Sequence, residues 1–264
     1  MSVRNVLVAG LILVLTSHTS GQSTVVTPNA FAGTEANTGT GVPLQNSGSA
    51  RTYQMQIGAS QLATIPVGSS ITGLRWRLDA GLGANFPPTT ATWSPFEITL
   101  AQAANSMAGF STNFAGNMTN PVLVRSSDLT FSTGAFSNAG SPTSFGPLIA
   151  FDTSYLYQGG DMVLLVTHAG SNIATAGLLD AADDTSPGYG TNYRAQFGFG
   201  FEATTASVTD FQAVITQFQF TIAAVPEPTT WALLGGCTLF TAVGSVYYRR
   251  RRTAQLNAQL AEVE

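Results

Sequence analysis

From Arg51 onward, apolar and polar residues alternate along much of the chain. Tyr53, Met55 and Ile57 alternate with Gln54 and Gln56; Leu74, Trp76 and Leu78 with Arg75 and Arg77; Phe96, Ile98 and Leu100 with Glu97 and Thr99. Tyr193, Ala195, Phe197 and Phe199 alternate in the same way with Arg194, Gln196 and Gly198. A period of two places successive side chains on opposite faces of a strand, so each run predicts a strand with one buried and one wet face. Met162–Val166 is continuously apolar, as expected for a strand covered on both faces. In the stretch 211–222 the apolar parity changes between Ile215 and Phe218, which predicts a bulge or a crossing between sheets.

Turn residues separate these runs: Val67-Gly68-Ser69-Ser70, Phe86-Pro87-Pro88, Gly140-Ser141-Pro142, Gln158-Gly159-Gly160-Asp161 and Ser186-Pro187-Gly188. Short strands between such turns, with no long helical pattern, predict an all-β domain. The expected form is a two-sheet antiparallel β-sandwich of jelly-roll type, with a barrel as the alternative. Asn105–Gly116 has room for one short helix. The stretch 22–50, rich in Thr, Asn, Gly and Ser, reads as an extended lead-in with at most one strand around Thr24–Val26.

The two ends follow other patterns. Arg4 precedes an uncharged run from Val6 to Leu15, followed by small residues up to Gly21. That order predicts a signal peptide over residues 1–21, its apolar part being too short to span a bilayer. At the other end, Pro226-Glu227-Pro228 leads into Trp231–Tyr248, which carries no charge, and Arg249-Arg250-Arg251-Arg252 follows at once. Eighteen residues at 1.5 Å per residue reach about 27 Å, close to a hydrocarbon core, so this run predicts a transmembrane helix. Trp231 and Tyr247-Tyr248 are placed like interfacial aromatics, and the Arg block is expected on the cytoplasmic side, leaving the preceding domain outside. The plan is therefore a signal peptide (1–21), a lead-in (22–50), a β-sandwich domain (51–224), a motif-bearing membrane segment with its Arg block (225–252) and a short cytoplasmic tail (253–264).

This C-terminal segment resembles the PEP-CTERM sorting signal of Gram-negative and related bacteria. Pro226, Glu227 and Pro228, the hydrophobic run with Leu233-Leu234-Gly235, and Arg249, Arg250, Arg251 and Arg252 carry the resemblance. It implies recognition by an exosortase, a membrane-embedded cysteine transpeptidase or protease, with processing near the Pro-Glu-Pro motif. Members of the family are commonly tied to exopolysaccharide, biofilm or envelope surfaces. Such tails usually end soon after the Arg block, whereas this chain continues to Glu264, with Leu256, Leu260 and Val263 at helical spacing.

Charge narrows the choice of partners. All ten basic residues are Arg, and only Arg51, Arg75, Arg77, Arg125 and Arg194 fall between the two end segments, in residues 22–224, against eleven acids. A net negative body repels phosphate backbones, so nucleic acid is not an expected partner. The one cysteine, Cys237, lies in the C-terminal apolar run, which leaves the domain without a disulfide or a thiolate metal site. His168 is the only histidine outside the leader, which excludes a multi-histidine metal centre. No Walker loop, dinucleotide fingerprint, His-Glu-x-x-His or Gly-x-Ser-x-Gly elbow is present.

Three features remain as candidate chemistry. Asp180, Asp183 and Asp184, in a loop ending at Ser186-Pro187-Gly188, form either a solvated acidic loop or ligands for Ca²⁺ completed by carbonyls. Trp93, near the Pro87-Pro88 loop, is the better candidate for an exposed sugar-stacking platform, whereas Trp76, in phase with Leu74 and Leu78, reads as core. Arg75 and Arg77 read as solvated charges on one sheet face, with contact to an anionic glycan as the sharper alternative. The expectation is an exported, non-catalytic surface or exopolysaccharide-matrix protein. A carbohydrate-binding module is the first alternative, and a secreted glycan hydrolase using paired carboxylates the second.

Overall fold

The computed structural model describes residues 21–222 and 246–255. The expected signal peptide over residues 1–21, apart from Gly21, the Pro226-Glu227-Pro228 motif and most of the apolar run up to Tyr248 lie outside the described residues. The chain divides into two units, Met1–Ala223 and Ala224–Glu264.

The described part of the first unit, residues 21–222, is all-β. Its strands are β1 (Gln22–Thr27), β2 (Thr38–Thr40), β3 (Arg51–Ile57), β4 (Ser70–Trp76), β5 (Ala91–Trp93), β6 (Phe96–Ala103), β7 (Met118–Arg125) and β8 (Leu129–Phe131). They continue with β9 (Ile149–Leu156), β10 (Met162–His168), β11 (Leu179–Ala182), β12 (Tyr193–Phe199), β13 (Val208–Phe211), β14 (Ala213–Val214) and β15 (Thr216–Thr221). They form a four-stranded sheet in the order β1-β15-β4-β9 and a six-stranded sheet in the order β13-β12-β3-β10-β6-β7. A three-stranded sheet, β14-β11-β2, and a pair, β5-β8, complete the unit. Every pairing within these sheets is antiparallel.

The apolar phase of the alternation supplies the core apart from the exposed Phe199, whereas Gln54, Gln56, Arg77 and Gln196 of the polar phase, expected to be wet, are buried too. Tyr53, Met55, Ile57, Ile98, Leu100, Leu164, Val166, Tyr193 and Ala195 of the six-stranded sheet join Ile71, Leu74, Trp76, Phe218 and Phe220 of the four-stranded sheet in one buried apolar cluster. Removing this area from water is the main favourable term in folding, and residues of both large sheets share it. The parity change after Ile215 is a passage between sheets. Within fourteen residues the chain leaves the six-stranded sheet at β13, touches the three-stranded sheet as β14 and enters the four-stranded sheet as β15.

Two sequence expectations are corrected. The strand expected around Thr24–Val26 is β1, but β2 adds a second, and because β1 pairs along its whole length with β15 and β2 pairs with β11, the stretch 22–50 belongs to the sheets rather than leading into them. The second strand, Thr38-Gly39-Thr40, has three residues and no large apolar side chain, so the apolar count carries no signal for it. The 105–116 stretch holds two short 3-10 turns, Met107–Gly109 and Ala115–Asn117, rather than one helix. The turn signals hold: Gly159 and Gly160, between β9 and β10, both have positive φ (86° and 79°), which residues with a Cβ adopt only at a cost.

In the second unit, residues 246–255 are helical, and every side chain is exposed. The helix carries Arg249–Arg252, and the Arg251 guanidinium lies 5.8 Å from the Tyr247 ring centre. Among the described residues no helix is long and apolar enough to cross a membrane.

Candidate functional site

Trp93 is not a platform. It is fully buried (0% exposed), its indole N–H donates to the Gln45 carbonyl at 2.8 Å, and Phe131 packs edge-on at 5.9 Å. The Pro87-Pro88 loop does not open the site, because Phe86 and Phe136 close over it. Trp76 is core, as its phase indicates, with its N–H on the Thr216 hydroxyl at 3.1 Å.

Arg75 and Arg77 do not form a solvated pair. Arg75 is half-buried and donates to the Gly146 carbonyl at 2.9 Å. Strand β4 ends at Trp76, and Arg77 turns inward. Its Nε donates to Asp180 Oδ2 at 2.7 Å, and its Nη2 donates to the carbonyls of Phe31 and Thr34 at 2.8 and 2.5 Å. The three-stranded sheet runs alongside at this point, with the Asp180 N–H donating to the Arg77 carbonyl at 3.0 Å. A buried guanidinium is tolerated only with such partners.

The aspartate trio separates for the same reason. Asp180 is a buried partner of Arg77, and its Oδ1 accepts from the Ala36 N–H at 3.0 Å. Burial, with the Glu35 charge adding and Arg77 opposing, pushes its carboxyl up to about 6. Asp183 instead closes a turn, where Oδ1 accepts from the Asn37 amide and from the N–H and hydroxyl of Thr185, and these bonds lower its pKa. The carboxylates gathered around Asp180 are Glu35 and Asp79, all within 4.8 Å of one another. Their oxygens are engaged too: Glu35 Oε1 accepts from the Ala80 N–H and Asp79 Oδ1 from the Gly81 N–H.

His168 is a core residue. Its Nδ1 accepts from the Gly170 N–H at 3.0 Å, which fixes Nε2 as the donor to the Val42 carbonyl at 3.0 Å. Phe96 stacks on the ring, and burial lowers the imidazole to about 4.

The outer face of the six-stranded sheet has a different character. Register aligns Gly198, Thr52, Thr167 and Glu97 in one row across it, Gln196, Gln54, Leu165 and Thr99 in the next, and Arg194, Gln56, Val163 and Ala101 in a third. Part of this polar face is roofed by the chain between β6 and β7. Asn117 Nδ2 and Gln196 Nε2 both donate to Gln54 Oε1, at 2.8 and 3.1 Å, while Gln54 Nε2 reaches the Phe114 carbonyl and Gln196 Nε2 the Ser111 carbonyl. Gln54, Gln196 and Asn117 are buried as a result, and Asn117, in the Asn117-Met118-Thr119 triplet, is a structural residue.

A second segment, following β12, lies beside this roof and bonds to it. The Phe114 N–H donates to the Thr204 carbonyl and the Ala206 N–H to the Thr112 carbonyl, at 3.1 and 2.8 Å. The same segment is tied to the sheet, with the Glu202 N–H on the Thr167 hydroxyl (2.8 Å) and the Ala203 N–H on the Thr52 hydroxyl (2.9 Å). Gly198 permits this close approach: a Cβ there would lie 2.6 Å from the Thr205 carbonyl oxygen.

Between sheet, roof and turn lies a cavity of about 280 Å³. Glu97, Thr99, Leu165, Phe114, Met118 and Glu202 line it, together with Thr52, Thr167 and the turn residues. Burial, then the Glu202 charge, raises the Glu97 carboxyl above its ordinary value. Glu202 holds a positive φ of 55°, an uncommon conformation for a residue with a side chain. Glu97 is legible in the sequence as an outward residue, and Leu165 is an apolar residue at an outward position. Glu202 and the roof come from loops, where periodicity carries no signal. No protein-family model, curated protein or solved structure matches this chain.

Proposed function

We propose that the chain is an exported, non-catalytic surface or exopolysaccharide-matrix protein of the bacterial envelope, sorted through its PEP-CTERM-like tail by an exosortase. The observation that carries this reading is the fixed order at the C-terminus: Pro226-Glu227-Pro228, an uncharged run long enough to cross a bilayer, then four consecutive Arg. The helix that carries Arg249–Arg252 with their side chains exposed is compatible with it. In this reading the leader takes the chain through the inner membrane, and the mature protein is anchored in the envelope or released at the surface after processing. The four- and six-stranded sheets then form the layers of a jelly-roll-like sandwich around the shared apolar cluster. Glu227→Ala tests the recognition step: the precursor should accumulate unprocessed at the inner membrane. Unchanged mass and location in the variant would refute it.

A second reading, a carbohydrate-binding face, is favoured by the cavity on the outer face of the six-stranded sheet. Polar residues set in a concave, partly apolar surface are the usual make-up of a small-ligand site. The site moves from Trp93, which is core, to the Glu97 and Glu202 cavity.

A further inference from the structure

We propose that the cavity between Glu97 and Glu202 binds an amino sugar unit, its ammonium group held by the two carboxylates and its ring resting on Phe114 and Leu165. The proposal rests on the carbohydrate-binding reading above and names the ligand class of that same site.

Charge comes first. Of the residues that line the cavity, Glu97 and Glu202 are ionisable and none is cationic. Neither carboxylate accepts a hydrogen bond from a described side chain or backbone N–H, whereas Asp79, Asp152, Asp161, Asp180, Asp183 and Asp210 all do. Two carboxylates lining one cleft, Glu97 half-buried and Glu202 exposed at its rim, attract a cation and disfavour an anion, which sets uronic acids and phosphorylated sugars aside. An ammonium group offers three donors to such a pair.

Shape and polarity select the rest of the ligand. The volume corresponds to roughly nine waters at about 30 Å³ each, the room of one sugar ring rather than a chain. Leu165 from the sheet, Phe114 from the roof and Met118 from the start of β7 give the cavity apolar walls, suited to the C–H groups of a ring. The Thr99 and Thr204 hydroxyls also line the cavity and make no hydrogen bond to a described residue, so they are available to ring hydroxyls. Thr52 and Thr167 are occupied in holding the Glu202 turn.

The site is also organised in advance. Roof and turn are bonded to each other and to the sheet, so the ligand need not order them, and rigid sites lose less affinity to entropy. The positive φ of Glu202 is retained in that bonded frame.

Saturation-transfer NMR on the full-length chain in detergent tests the proposal, with methyl glucosaminide, methyl glucoside and glucuronate as probes and Glu97→Gln and Glu202→Gln as variants. The glucosaminide should bind, at least about tenfold more tightly than the glucoside, and each variant should lose about tenfold, the scale of one charge-assisted contact. Glucuronate should give no signal. The variants should melt with the wild type, because neither carboxylate has a protein partner to lose. Equal binding of glucoside and glucosaminide, unaffected by either substitution, would overturn the amino-sugar assignment and leave the carbohydrate-binding face standing. Preferred binding of glucuronate would also overturn it. No binding of any probe would remove both.

Discussion

The Arg77 guanidinium and the Asp180 carboxylate meet at 2.7 Å with 1% and 0% of their side chains exposed. The pair joins the end of β4 to β11, and Arg77 also holds the loop around Phe31 and Thr34. Removing one partner leaves a buried charge without its counterion. Arg77→Ala should therefore destabilise the domain by about 3–5 kcal/mol, far more than a solvated sheet-face arginine would. Urea denaturation checks this, and a loss under about 1 kcal/mol would show that the pair is dispensable.

His168 makes stability fall on the acid side. Its folded pKa of about 4 lies below the unfolded value of 6.5, so the unfolded chain binds the proton more readily. The neutral imidazole contributes stability that is present above pH 6.5 and lost as pH falls toward 4, about 3 kcal/mol in full. Asp180 works in the opposite direction: raised to about 6, its contribution is complete below 3.8 and is lost as pH rises through 6. In His168→Asn the acid-side loss should disappear, so the wild type's stability advantage should shrink steadily from pH 6.5 to 4. An advantage independent of pH would show that the imidazole does not titrate in this window.

Gln54 anchors the roof over the six-stranded sheet by two side-chain bonds, to the Phe114 carbonyl and from the Asn117 amide, and accepts a third from Gln196 on the neighbouring strand. Gln54→Ala leaves the amides of Asn117 and Gln196 short of an acceptor in a buried site. It should cost about 1–3 kcal/mol. Cleavage by limited proteolysis should shift into residues 104–117, and an unchanged cleavage pattern would argue against the anchor.

Gly198 is where the turn after β12 rests on the sheet. In Gly198→Ala the new methyl group would contact the Thr205 carbonyl and, at 3.0 Å, the Ala203 side chain, so the turn must lift. Overpacking of this kind should cost about 1–3 kcal/mol. Hydrogen exchange should accelerate at the Glu202 and Ala203 amides, which bond to Thr167 and Thr52. Protection equal to wild type at those two amides would refute the account.

Much of the fold was legible along the chain. The alternation in Tyr53–Ile57, Phe96–Leu100 and Tyr193–Phe197 marks the core face of the six-stranded sheet, while Phe199, in phase with it, is exposed beyond the core; the parity change near Ile215 marks the passage between sheets. The site was less so. Arg77 alternates like a solvent-facing residue, yet a strand from elsewhere in the chain lies against it. Trp93 sits beside prolines that suggested an open loop, yet Phe86 and Phe136 close over it.

Periodicity is a local property, set by which face of each strand meets the apolar cluster, and the order of motifs at the two ends is local as well. These features, the all-β character, the core positions and the resemblance of the tail, were determined by the sequence alone. What lies on the other face of a strand depends on loops that return from distant positions. The tertiary structure alone decided that Arg77 pairs with Asp180, that residues 104–117 roof the sheet and that Glu97 meets Glu202 across one cavity.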